Sequence, residues 1–258
     1  MPDLTAIFPL IVPFLLVLFR LMGMFAFVPF YSNANIPTNV KVLLALAIAF
    51  CVWNVVPQVA LPASTSTLIG LTVAIAGEMS IGLVIGMLLG CLFMGVQLGA
   101  HMVSQQMGLS MATIYDPSFE DQTTVIEQIA FWIAMVAFLG MGGHRQIIDS
   151  IVMSYRKVPI GSGGLAPDQM LQMVLASMDA SFHAATRVAM PALVAFFIAT
   201  LTTGLMSRSM PQLNLMSIGI SMHLIVGFIM VGVGLAGWAL VSQESFVGMR
   251  QALRVLFG

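Results

Sequence analysis

Charge is so scarce in this chain that its uncharged runs set the folding problem. Sixteen uncharged residues separate Asp3 from Arg20, 20 separate Arg20 from Lys41, and 36 run from Val42 to Gly77. A further 37 run from Met79 to Tyr115, 17 from Gln128 to His144, 20 from Val188 to Ser207 and 35 from Ser209 to Gln243. A helix that crosses a bilayer needs about 20 apolar residues. Charged residues make up 7% of the chain, against about 25% in soluble domains. A water-facing surface cannot be built from so few, so most of the exterior must face lipid or other apolar protein. The pattern predicts an all-α integral membrane protein with about six crossings.

Turn signals divide the runs in the same places. Pro29 and the polar stretch Tyr31–Asn39 separate the first two apolar segments, and Met141-Gly-Gly-His144 ends the helix that follows the acidic stretch. Residues 159–164 form a glycine-rich connection before Pro167, which suits the first turn of a helix. Ser207–Asn214 reads as the tip of a helical hairpin, and Arg250 and Arg254 sit on a short terminal helix. The first twenty residues carry Asp3, no basic leader and no small-residue cleavage site, so they read as a retained first helix with Pro9 and Pro13 in its early turns. Glycines recur at four-residue spacing in Gly82/Gly86/Gly90 and Gly95/Gly99, a pattern that lets helices approach closely in an apolar medium. Arg208 at the hairpin tip and Arg250/Arg254 at its far end give no consistent positive-inside orientation.

Several function classes drop out. Net charge is −1 with no basic patch, which argues against nucleic acid. Cys51 and Cys91 lie inside apolar runs and read as small core hydrophobes. The four histidines are dispersed without metal-ligand spacing, and no phosphate-cradling glycine loop precedes a helix. His101 and His223 are a conceivable haem pair for a membrane anchor, with nothing else in their favour. The expectation is a protein that is not an enzyme and holds no cofactor or metal.

Two features remain. Glu78 interrupts an apolar run, and an acid at membrane depth is costly and often functional. It is either the coupling carboxylate of an ion-driven transporter or a structural acid, placed near a helix start or paired with Arg20 or Lys41. Arg20, Arg187 and Arg208 read likewise as polar ties between helices. The second feature is Gln106–Glu127, where Asp116, Glu120, Asp121 and Glu127 fall within twelve residues without a Lys or Arg. Met107, Leu109, Met111, Ile114 and Tyr115 are too apolar for a loop that lives only in water, and the residue before Pro117 disfavours a continuing helix. Irregular backbone at membrane depth is tolerated only inside protein or beside an aqueous cavity. The reading favoured is a loop whose apolar limb closes a conduit and whose acidic limb stays wet; a plain solvated connector is the alternative.

An ordered set of motifs carries a resemblance over about Phe19–Trp238. Arg20-Leu-Met-Gly-Met-Phe-Ala-Phe-Val-Pro-Phe30, Ile36-Pro37 with Lys41, Gly77-Glu-Met-Ser-Ile-Gly82, Gln106-Met-Gly-Leu109, Asp116-Pro117, Gly142-Gly-His144 and Pro211-Gln-Leu-Asn214 resemble those of the FliR/SpaR/HrcT family. These are R subunits of the type III secretion export gate. The resemblance implies a FliP-like helical body over residues 1–187, a FliQ-like hairpin over 188–244 and a short helix over 245–258. It implies a conical assembly with FliP-type ring subunits, FliQ-type hairpins and FlhA- and FlhB-type proteins, through which unfolded substrates pass. The family's plug corresponds to Gln106–Asp121, within a loop spanning about residues 105–127, and gating falls to Met107, Gly108, Leu109, Ser110, Met111, Ile114, Tyr115, Asp116 and Phe119. The place implied is the bacterial inner membrane, in a flagellar basal body; a virulence-type secretion homologue is the alternative.

Overall fold

A helix closes its own N–H and C=O groups, so it is the low-cost conformation for an apolar segment in lipid. The structure, a computed structural model, describes residues 4–28, 31, 36–53, 55, 65, 67–109, 123–161, 166–209 and 215–257. Among them are seven helices: α1 (Leu4–Phe25), α2 (Thr38–Trp53), α3 (Leu68–Gln106), α4 (Val125–Gly140), α5 (Gly143–Lys157), α6 (Pro167–Ser209) and α7 (Leu215–Phe257). The fold is all-α, as expected.

Helix ends follow local chemistry. Thr67 caps α3, its Oγ1 accepting the Gly70 N–H at 3.2 Å. Gly142, at φ 74°, takes the left-handed conformation between α4 and α5. Arg156 and Lys157 occupy the last turn of α5, where cations complement the helix dipole.

Among the described residues α3, α6 and α7 are long and apolar enough to cross a membrane, and the broken pair α4–α5 would make a fourth. The stretch Ile11–Phe25 of α1 and the whole of α2 are apolar as well. The sequence pointed to about six crossings. A charge need not end a helix: α3 passes straight through Glu78, whose cost is met by pairing. The separate terminal helix expected over 245–258 is likewise the end of an unbroken α7.

The chain divides into two compact units, the first made of Met1–Cys91, Gly142–Met178 and Gly248–Gly258, the second of Leu92–Met141 and Asp179–Val247. In the first, α1 and α3 meet backbone to backbone. A methyl group at Gly82 or Gly86 would overlap the carbonyl oxygens of Arg20 or Met24, and one at Gly90 would lie 2.6 Å from the Phe27 oxygen. Helix α2 packs on α1, with Phe14 and Trp53 edge to face at 5.9 Å. In the second unit the same device brings α3 onto α6, where methyl groups at Gly95 and Gly99 would sit 2.7 Å from the Ser181 and Ala185 oxygens. Phe93 fills the space beyond them, packed against Phe131, Phe138 and Phe246.

Candidate functional site

The first polar cluster lies in the first unit and settles the partner of Glu78. Its Oε2 accepts from Arg20 Nε at 2.5 Å, and both side chains are buried. Glu78 Oε1 accepts the Gly161 N–H at 2.9 Å, so both carboxylate oxygens are engaged. Arg20 NH1 donates to Ser154 Oγ at 3.2 Å and NH2 to the Val158 carbonyl at 3.1 Å. The Tyr155 ring stacks over the guanidinium at 4.2 Å, and its hydroxyl donates to the Val17 carbonyl at 3.0 Å. One ion pair thus ties α1, α3, α5 and the turn after α5. Glu78 sits ten residues inside α3, not near a helix start as one of the readings of the sequence had it.

The second cluster lies in the second unit and brackets the acidic segment. Helix α3 is stopped by a glycine: Gly108 takes φ 80°, its N–H donates to the Gln105 carbonyl at 3.0 Å, and the Leu109 N–H reaches the Ser104 carbonyl at 3.3 Å. That pair of bonds is a Schellman cap, in which a left-handed residue satisfies the last free carbonyls. On the far side Thr124 and Glu127 form a capping box at the start of α4. The two ends are then joined. Ser104 Oγ donates to Thr124 Oγ1 at 2.6 Å, and His101 Nδ1 lies 2.9 Å from Glu127 Oε1. A carboxylate only accepts, so Nδ1 carries the proton and Nε2 accepts from the Gln105 amide at 2.8 Å. A bond between neutral groups, such as Ser104 to Thr124, contributes about 0.5–1.5 kcal/mol net and one to a carboxylate about 1.5–3 kcal/mol; together they hold two helix ends as one.

Of the gating residues expected from the sequence, three are described. Met107 is fully buried, Gly108 is the cap, and Leu109 is half-buried. Met107 owes its place to a residue that sequence reasoning missed: a methyl group at Gly227, on α7, would collide with the Met107 thioether. Nothing in the spacing of a glycine and a methionine 120 positions apart signals that socket. Ser110, Met111, Ile114, Tyr115, Asp116 and Phe119 lie outside the described residues, as does the side chain of Arg208. Arg187 pairs with Glu244 across the α6–α7 hairpin, both more than half exposed. The conceivable haem histidines have other partners, His101 as above and His223 with Thr200 Oγ1 at 3.1 Å. No cluster of three metal-ligating side chains occurs among the described residues.

Both clusters hold helices together. The family described as bacterial export proteins, family 1, matches residues 11–249. The chain is similar to the flagellar biosynthetic protein FliR of Bacillus subtilis, with 24% identity over 230 residues covering 88% of each chain. It is 28% identical over 210 residues to the protein of that name from Escherichia coli, covering 81% of this chain and 79% of that one. The corresponding Caulobacter vibrioides protein is 26% identical over 231 residues, covering 90% and 91%.

Proposed function

The chain belongs to the bacterial export proteins, family 1, and from that premise we propose that it is a structural and gating subunit of the flagellar type III export gate. Its relatives place it in the flagellar export apparatus of a bacterial membrane, in a transport role. On this reading it helps to form the channel for unfolded substrates and closes it with the methionine-rich segment that begins at Met107. It assembles with FliP-type ring subunits and FliQ-type hairpins, beside FlhA- and FlhB-type proteins, in the inner membrane at the basal body. Residues 1–187 act as the FliP-like body, residues 188–244 as the FliQ-like hairpin and residues 245–258 as its terminal extension.

The observation that carries the reading is the fastening of the two helix ends around residues 110–122. Caps are common at helix ends, but a connector that only bridged α3 and α4 through water would need no side-chain clasp and buried methionine at its roots. A segment that must return to one position after each displacement does. Sealing asks for little energy, since burying a Met- or Ile-sized side chain is worth about 1.5–3 kcal/mol. A driven substrate can overcome several of these. The rival in which Glu78 couples ion flow loses ground, because neither carboxylate oxygen is free.

The structure also directs the test. Met107 is core and Gly108 is a helix cap, so a variant aimed at the seal should start beyond Leu109. Replacing Met111, Ile114 and Tyr115 by Ser is expected to raise the ion conductance of the assembled gate in planar bilayers while assembly persists. Conductance equal to wild type in a fully assembled gate would remove the plug.

A further inference from the structure

We propose that the outer face of α5 is a docking surface for anionic phospholipid head groups, with Arg145, Arg156, Lys157 and Arg250 as the cations that hold them. Such a surface needs only a chain that lies in a membrane and is independent of the plug.

The inner face of α5 is already committed. Ser150, Ile151, Ser154 and Tyr155 are buried, and the bonds from Arg20 to Ser154 and from Tyr155 to Val17 fasten the helix to α1. Outward, the same helix presents Arg145, Asp149, Arg156 and Lys157, all exposed. Arg250 comes to it from the far end of the chain, within the same compact unit. Gln146, its amide oxygen turned toward the guanidinium, accepts from Arg250 Nε at 3.3 Å and Nη2 at 3.1 Å. The fold thus gathers four of the nine Lys and Arg residues around one helix, with Asp149 as the opposing acid, in a chain of net charge −1. Among the described residues no ion pair engages Arg145, Arg156 or Lys157. Charges at that density are costly in hydrocarbon and belong at the level of the head groups. Layout then chooses the occupant. Arg145 and Arg156 lie on one stripe, three turns and about 17 Å apart along the axis, and Ile148 between them is 43% exposed. A carboxylate of a protein partner is best met by forked donors converging on one place, whereas here the cations are spaced along a helix and interleaved with apolar side chains. The head groups of an anionic leaflet are spread in the same way, and long basic side chains reach them while their stems lie on apolar surface.

Lipid selectivity beside Arg145 tests this. The full chain with Ile148→Cys, Cys51→Ser and Cys91→Ala is labelled with bimane and purified together with the subunits that accompany it. It is placed in phosphatidylcholine vesicles containing a minor share of either brominated phosphatidylglycerol or brominated phosphatidylcholine. The signal of the chain with Ile148 intact is subtracted, so that quenching reports which lipid lies against α5. The expected result is anionic lipid enriched about fivefold at the label, the factor that one well-placed cation contributes. High salt and the variant R145Q/R156Q/K157Q should each bring the two lipids to parity, while R145K/R156K should keep the preference. Equal quenching by the two lipids overturns the proposal, and so does an anionic preference that survives the triple variant. Quenching by neither lipid means that protein covers α5, with an acidic partner segment as its occupant, and overturns the proposal as well.

Discussion

A guanidinium that is 1% exposed cannot be left without a counter-charge, and Arg20 has one partner for each of its polar faces. Removing one member of a buried ion pair costs about 3–5 kcal/mol, whereas replacing both by apolar groups of similar volume is often close to neutral. Glu78→Ala should therefore cut the amount of folded chain in membranes sharply, and Arg20→Met combined with Glu78→Leu should recover much of it, together with export. Immunoblotting of membranes beside a secretion assay checks both. If Glu78 instead coupled ion movement, the double variant would be abundant and silent. At this scale the sequence was partly legible. Glu78 stood out by its isolation, and Arg20 was one of two candidate partners. Glu127 was read as one more acid of a wet run, although Thr124 with a Glu three residues later is the pattern of a capping box. Its bond to His101 has no local signal, because 26 residues separate them.

Glycine spacing is the element-scale counterpart, and there the chain spoke more clearly. The four-residue repeat at Gly82, Gly86 and Gly90 predicted a close helix crossing, and α1 lies against that stripe. What the spacing could not say is which helix comes to it, or that Gly95 and Gly99, further along the same helix, serve α6 instead. Other glycines have no such duty: nothing lies within 4 Å of where a methyl group would stand at Gly232. The two kinds should respond oppositely to alanine. Gly86→Ala forces α1 away from α3 and should cost about 1–3 kcal/mol, as overpacked cores do. Gly232→Ala removes a flexible residue from the interior of α7 and should gain about 0.5–1 kcal/mol. Thermal unfolding of the two variants in mild detergent gives the comparison; a Gly86→Ala chain as stable as wild type would mean that α1 and α3 do not meet as described. Helix ends were the least legible elements, because a cap such as Gly108 depends on bonds to carbonyls one turn back that no periodicity reveals.

For the whole molecule, the exposure of the long helices is uneven in a way that composition conceals. In the most apolar stretch of α3, 72% of the residues are buried within the chain, but only 28% of those in α6 and 17% of those in α7 are. Phe197, Leu205, Phe228 and Val233 are each more than 60% exposed, while Arg187 and Glu244 form an open ion pair on the same hairpin. Lipid would cover the apolar residues, but it would not reward a charged pair there, whereas neighbouring protein serves both. On the proposed reading the hairpin is a surface that neighbouring subunits cover, and the chain by itself should be short-lived. Pulse-chase labelling should show rapid loss of the chain expressed alone and a longer half-life when FliP- and FliQ-type partners are made with it. Substituting Phe228 and Val233 with Asn should abolish that protection without altering the half-life of the lone chain. A lone chain as long-lived as the co-expressed one would mean that lipid suffices to cover α6 and α7, and that the hairpin is an ordinary membrane span.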